Sequence, residues 1–267
     1  MQRTALVTGA SSGIGAACAM RLAGAGWRVF AGVRRVGDAP KGTEEILLDV
    51  TDEGQVRAAA KRIEELHGLV NNAGIALAVP LEFIPLQELR RQFEVNLFGQ
   101  VAVTQAFLPH LRRSRGRIVF MGSIAGQSAL PFLGPYAASK HALEAVADTW
   151  RLELRPFGVD VSLIQPGTIR TPIWTKSADV ADELANGAGA ELVGLYGDRM
   201  AAFRRVAQKR GAKGASADEV ARVVEQALTM ERPRTRKLVG LDAKLRSGVE
   251  RLPDRVRDRV YERVLLR

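Results

Sequence analysis

Three observations predict an α/β fold in which helices cover both faces of a parallel sheet. Short apolar runs alternate with helical periodicity along the 267 residues. The first such run feeds a glycine-rich turn that opens directly into a helix. No linker, repeat or low-complexity stretch divides the chain. Strands that alternate with helices need crossover connections, and crossovers make the strands parallel. A hydrophobic content of 46 % supplies one large core, so residues 1–267 are expected to form a single domain.

Thr4 to Thr8 is a short apolar run suited to a buried parallel strand. It runs into Gly9-Ala10-Ser11-Ser12-Gly13-Ile14-Gly15 and then into a helical stretch, Ala16 to Ala25. Three glycines so placed permit a tight turn, close approach of backbone to a pyrophosphate, and close packing of helix on strand. The free N–H groups and positive end of the helix would face the phosphates. A glycine turn without a ligand is the rival reading, and the flanking strand and helix weigh against it.

The second strand, Arg28 to Val33, ends on Arg34-Arg35. The residue at this tip of a dinucleotide fold meets the adenosine ribose, where a carboxylate would bind a free 2′-hydroxyl and repel a 2′-phosphate. The first acid here is Asp38, beyond Gly37. The Arg34 guanidinium can grip a phosphate through two parallel hydrogen bonds, with Ser11 or Ser12 adding hydroxyls. NADP(H) is therefore favoured, with NAD(H) left open and a solvated arginine pair as the alternative.

A third strand is expected over Glu45 to Asp49, and a fourth ends in Asn71-Asn72-Ala73-Gly74. The fifth, Arg117 to Met121, places Ser123 at a carboxyl edge of the sheet, where open α/β sheets bind ligands. A helix opens at Tyr136 and runs to about Pro156. Tyr136 and Lys140, four residues apart, share one of its faces. A phenol titrates near pH ~10. An ammonium about 5 Å away, at an effective dielectric of ~20, would stabilise phenolate by roughly 3 kcal/mol, or about two pKa units. Tyr136 could then act as a general acid or base, although Tyr-x-x-x-Lys alone arises by chance in many helices. After the sixth strand, Val159 to Gln165, Pro166 and Gly167 turn the chain. The last strand and its exit are read as Leu238 to Lys244.

Taken in order, these motifs resemble the short-chain dehydrogenase/reductase superfamily, in its single-domain branch. They are Thr8 with the Gly-x-x-x-Gly-x-Gly turn, Asp49-Val50, Asn71-Asn72-Ala73-Gly74, Asn96, Ser123, Tyr136 with Lys140, and Pro166-Gly167 followed by Thr171. The C-terminal part is similar to retinol and hydroxysteroid dehydrogenase-like members. The resemblance covers most of the chain and implies a doubly wound Rossmann-type sheet of seven parallel strands in the order 3-2-1-4-5-6-7. It implies that Asp49 and Val50 meet the adenine and that Asn72, Ala73 and Gly74 belong to the cofactor shell. Pro166, Gly167, the Ile169 backbone and the Thr171 hydroxyl would frame the nicotinamide. Ser123 would donate to the substrate oxygen, Tyr136 would move its proton, and Lys140 would lower the phenol and hold ribose hydroxyls. Asn96 would position a water that relays protons to Lys140; taken alone it reads as a buried, helix-kinking amide. The implied activity is a NADP(H)-preferring oxidoreductase that interconverts a carbonyl and a secondary alcohol on a hydrophobic substrate. A non-catalytic NAD(P)-binding scaffold or redox sensor is the alternative.

His67, His110 and His141 are scattered without metal-ligand spacing, and Cys18 stands alone, which suits a reducing compartment. No apolar run of about 18 residues occurs, and the nucleotide motif begins by residue 8, so a cytoplasmic chain without a cleaved signal is expected. Basic and acidic residues balance at 20 each through residue 198, whereas residues 199–267 hold 19 against 9, the whole of the +10 excess. Residues 245–267 form a basic tail in which Leu252, Val256, Val260 and Val264 recur every fourth residue, an amphipathic helix pattern. Docking on its own or a partner subunit, in a homo-dimer or homo-tetramer, is the first reading. Peripheral attachment to anionic lipid is the second, while nucleic acid is disfavoured because no aromatic platform accompanies the charge. Residues 175–214 are read as a substrate lid. The apolar pocket walls are assigned to Ala129 through Leu133, Ile173, Trp174 and Tyr196.

Overall fold

The computed structural model describes residues 2–171 and 173–266, with backbone alone for 173–190. Seven parallel strands, β1 (Thr4–Thr8), β2 (Arg28–Val33), β3 (Glu44–Leu47), β4 (Gly68–Asn71), β5 (Arg117–Met121), β6 (Asp160–Pro166) and β7 (Arg236–Val239), form one sheet. Their order is β3-β2-β1-β4-β5-β6-β7, the arrangement the resemblance implies. The order reverses between β1 and β4, and a crevice opens there at the carboxyl ends of the strands.

Burial follows from that topology. All five residues of β1 are buried, because helices cover both faces and leave no solvent side to favour polar alternation. On one face α1 (Gly13–Gly24) and α7 (Ala217–Thr229) pack Cys18, Leu22, Val220 and Val224 on Val7 and Val119. On the other, α2 (Glu53–Arg62), α4 (Gly99–Ser114) and α5 (Gly134–Glu153) bring Val56, Phe107 and Leu143 onto Leu6, Leu69 and Phe120. Trp150 stacks on Phe120 with centroids 5.5 Å apart. A short α3 (Leu86–Phe93) leads through a π-helical turn, Glu94–Phe98, into α4.

Several expected boundaries shift. The third strand stops at Leu47, and Asp49 starts a loop in which its carboxylate accepts from the Thr51 N–H and hydroxyl. The helix that carries Tyr136 opens two residues earlier, at Gly134. The last strand is Arg236–Val239, since Gly240 at φ +98° ends it and starts α8 (Leu241–Val249). Residues 173–212, which include most of the expected lid, form one helix, α6 (Ile173–Ala212). Ile173 and Trp174, assigned to the pocket wall, lie outside the residues whose side chains are described.

The tail folds as α9 (Asp254–Leu265), but its buried side is not the fourfold apolar row. Tyr261 and Leu265 pack against Leu130, Leu133 and Phe203, whereas Leu252, Val256 and Val264 stay 39 %, 43 % and 45 % exposed. One aromatic anchor outweighs several small valines in setting the docked face.

Candidate active site

A cavity of about 650 Å³ occupies the crevice. One end is the glycine turn. Gly9 sits at φ +63°, and a Cβ there would lie 2.9 Å from the Ala73 Cα. Ser12 precedes α1 with extended backbone and no side-chain capping bond. The N–H groups of the first turn, lined by Gly13 and Ile14, therefore remain available to an anion. Gly15 does not line the cavity; its missing Cβ admits the Gly9 carbonyl and the Asn72 amide instead.

The strand ends are tied together behind this turn. Asn72 Nδ2 donates to the Thr8 and Gly9 carbonyls at 2.9 and 3.1 Å. The Thr8 hydroxyl accepts from the N–H groups of Asn72 and Ala73, each at 3.0 Å. Gln100 donates to the Ala73 carbonyl. Every other expected cofactor residue lines the cavity: Ser11, Arg34, Asp49, Val50, Ala73, Gly74, Pro166, Gly167, Ile169 and Thr171. The turn and its open N–H groups fit the pyrophosphate of a dinucleotide, and Arg34 lines the same cavity. Sequence reasoning missed Gln87, Arg90, Arg91, Glu94 and Val95, which line the same cavity from α3 and the π-turn. No local signal marks them, since they arrive through a crossover from another part of the chain.

Ser123, Tyr136 and Lys140 come together at the other end. Ser123 caps a short 3₁₀ turn, Ile124–Gly126, by accepting from the Ala125 N–H at 3.1 Å, and it hydrogen-bonds the Tyr136 phenol. Lys140 Nζ donates to the Met121 carbonyl at 2.7 Å and lies 5.8 Å from the Tyr136 ring centroid. Asn96 does not line the cavity. It sits buried in the π-turn, accepting from the Ile75 N–H at 2.8 Å and donating to the Ile75 carbonyl and the Ser139 hydroxyl. Gly74 lies between it and the amine: a Cβ there would be 3.3 Å from Asn96 Oδ1 and 3.8 Å from Lys140 Nζ.

The electrostatics correct one expectation. The amine was expected to make the phenol more acidic, yet burial holds Tyr136 above its ordinary value, only partly offset by the Ser123 bond and the Arg246 charge. Burial also pulls Lys140 down to about 8, against the opposing pull of Glu144. Both groups have left water, and each ionised form loses solvation there. The phenol is consequently neutral and the amine mostly charged near pH 7.

Of the expected pocket walls, neither Ala129 through Leu133 nor Tyr196 lines this cavity; Phe132 instead meets Tyr196 edge-on at 6.3 Å and Phe203 at 5.6 Å. Leu130 and Leu133 join the same cluster, while Tyr196 donates to Glu82. His141 contacts the Ala137 carbonyl and Cys18 is buried, as structural readings require. No cluster able to hold a metal occurs among the described residues.

The chain is similar to known proteins in sequence and fold. The family model of short chain dehydrogenases matches residues 3–182. The "NADPH-dependent 3-dehydrocapnine reductase" of Ornithobacterium rhinotracheale is 34 % identical, over 97 % of this chain and 96 % of its own. Human "Retinol dehydrogenase 16" is 36 % identical, over 90 % and 81 %. A short chain dehydrogenase from Burkholderia cenocepacia, solved in complex with NADP, superposes with a TM-score of 0.75. It is 27 % identical, covering 99 % of this chain and 100 % of its own.

Proposed function

Because the chain belongs to the short-chain dehydrogenase/reductase superfamily and is an NAD(P)-dependent oxidoreductase acting on CH–OH groups, we propose that it prefers NADP(H) and interconverts a ketone and a secondary alcohol on a hydrophobic body. The convergence of Ser123, Tyr136 and Lys140 on one cavity, opposite the glycine turn, carries this reading.

A bound nicotinamide dinucleotide supplies or accepts the hydride. Gly9, Ser11, Ser12, Gly13 and Ile14 hold its phosphates, Asp49 and Val50 its adenine, and Gly74, Pro166, Gly167, Ile169 and Thr171 its nicotinamide end. Ser123 donates to the substrate oxygen and stabilises the negative charge that develops there. Tyr136, kept neutral by burial, gives its proton to that oxygen in reduction and takes it back in oxidation. Lys140, charged near neutral pH, steadies the phenolate left behind. Asn96 holds the π-turn that places Gly74 beside the amine and, in this reading, orients a relay water. The helix α6 covers the substrate mouth, and the active form is a homo-dimer or homo-tetramer. Screening hydrophobic ketones for NADPH oxidation tests the reading, and failure with every ketone would count against it.

Arg34 lines the ribose end and has no acidic partner among the described residues. Arg34→Ala is expected to raise the KM for NADPH by roughly ten- to a hundred-fold while the NADH value moves little, since one charge-assisted contact contributes about 1.5–3 kcal/mol. Equal effects on the two cofactors would remove the NADP argument.

No described helix is long and apolar enough to cross a membrane. Leu252 and Arg251 in the turn before α9, and Val256, Val264, Arg255, Arg259 and Arg263 on α9, are all exposed, and these arginines have no acidic partners among the described residues. Two copies pairing through these residues would oppose their arginines, so an anionic lipid surface is the occupant that suits them. Sedimentation with vesicles containing phosphatidylserine should retain the protein at low salt and release it as salt rises. Equal retention by neutral phosphatidylcholine, or none, defeats this part of the proposal.

A further inference from the structure

Glu144 stands one helical turn beyond Lys140 on α5, half-buried, with no place in the roles above. Each oxygen of its carboxylate accepts a hydrogen bond from a strand residue. Oε1 accepts from Gln165 Nε2 at 2.7 Å, and Oε2 accepts from Arg236 Nε at 2.9 Å. Arg236 in turn donates to Asp148 at 2.6 Å, one turn further along α5. Gln165 belongs to β6 immediately before Pro166 and Gly167, and Arg236 belongs to β7. One carboxylate thus joins the helix of Tyr136 and Lys140 to the root of the loop at the nicotinamide end.

Space has been made for it. A Cβ on Gly126 would lie 2.8 Å from Glu144 Oε1 and 3.1 Å from the Lys140 carbonyl, so the 3₁₀ turn after Ser123 closes directly over this carboxylate. The charged and titratable groups around the pair can be enumerated. Lys140 faces Tyr136 and Glu144, with the Met121 carbonyl as its hydrogen-bond acceptor. Glu144 faces Arg236, with Asp148 behind it and the neutral Gln165 alongside. Arg246 acts on Tyr136 from α8. Glu144 is the one carboxylate among these that bears on the amine.

We infer that Glu144 is a positioning residue of the active site: its negative charge keeps the buried Lys140 amine protonated, and its two accepted hydrogen bonds register α5 against the β6 and β7 strand ends. Burial disfavours the charged form of an amine so enclosed. A carboxylate one turn away opposes that effect; burial raises the Glu144 carboxyl itself above its ordinary value, and the hydrogen bonds from Gln165 and Arg236 work against that rise. The inference rests on Lys140 being the amine of the proposed reaction, but its test needs no turnover.

The full chain, saturated with NADP+ and carrying 13Cε-labelled lysine, is titrated by NMR from about pH 6 to 10, with Lys140→Arg identifying the resonance. In Glu144→Gln the Lys140 inflection is expected to fall by on the order of one pH unit. Glu144→Asp, which keeps the charge, should hold the inflection near its wild-type position. Asp148→Asn, which removes the other carboxylate from Arg236, should also leave it in place. Should Glu144→Gln fail to fold, Glu144→Thr, smaller and neutral, is expected to give the same downward shift without crowding Gly126. NADP+ affinity followed by tryptophan fluorescence reports separately that the fold and cofactor site persist. An unchanged inflection in the neutral variants, or an equal shift in Asp148→Asn, overturns the inference. Full turnover by Tyr136→Phe would instead sink the catalytic reading and leave this result standing.

Discussion

Tyr136→Phe is expected to lower ketone reduction by about 10²–10⁴-fold, or roughly 3–5 kcal/mol of barrier, while NADPH still binds. The phenylalanine keeps the ring, the packing against Ala76, Ala125 and Ala137, and the covered position beside Lys140. It removes only the hydroxyl that Ser123 meets. A loss confined to kcat would locate the missing group in the transition state rather than in substrate affinity. A phenol that burial holds above its usual range is protonated throughout neutral pH, so reduction should keep its acid to the alkaline side of neutrality. Lys140, titrating at about 8, is the group that should set the falling limb as pH rises. Stopped-flow NADPH oxidation across pH 6–10, paired with fluorescence titration of NADPH, checks both statements. Retention of more than a tenth of wild-type turnover would transfer the proton step to another residue.

Gly15→Ala is expected to be as severe, for a different reason. Its Cβ would overlap the Gly9 carbonyl and lie 2.5 Å from Asn72 Nδ2. Both atoms belong to the hydrogen-bonded joint between β1 and β4, so neither can yield as a surface side chain could. Relief would require α1 to lift from the strand, breaking the Asn72 bonds and the turn together. We expect roughly 4 kcal/mol or more of destabilisation and loss of NADPH binding. Gly24→Ala in the same helix is the control. Nothing lies within 4 Å of its Cβ, so helix propensity should make it neutral or stabilising by up to about 1 kcal/mol. Urea midpoints of the two variants decide the matter, and similar midpoints would show the turn to be looser than its contacts indicate.

The contrast between those glycines marks what a reader of the sequence can and cannot see. The spacing of Gly9, Gly13 and Gly15 already announces a phosphate turn, because the demand for backbone room is local to seven residues. Which of the three touches the ligand is not local. Gly9 and Gly13 line the cavity while Gly15 packs inward against Asn72, which follows β4. Asn96 shows the same limit. Its place in the motif order was legible, whereas its saturation by Ile75 and Ser139 depended on three elements meeting.

The tail and the titrating pair were hardest to read. Fourfold spacing of Leu252, Val256, Val260 and Val264 identifies a helix face, but Tyr261 and Leu265 form the buried side because Leu130, Leu133 and Phe203 offer them a surface. Tyr136 and Lys140 were assigned to one helix face from their spacing. Their acidity was decided by enclosure, which removes water from both and lets Glu144 and Arg246 act on them. The linear order of residues was thus sufficient for sheet topology, the glycine turn and the Ser123, Tyr136 and Lys140 set, since strand and helix periods and short spacings are properties of neighbouring residues. Packing alone determined which side of α9 is covered, which glycine supports rather than binds, and which way each buried proton equilibrium moves. Those depend on distances and solvent exclusion between segments that only folding brings together.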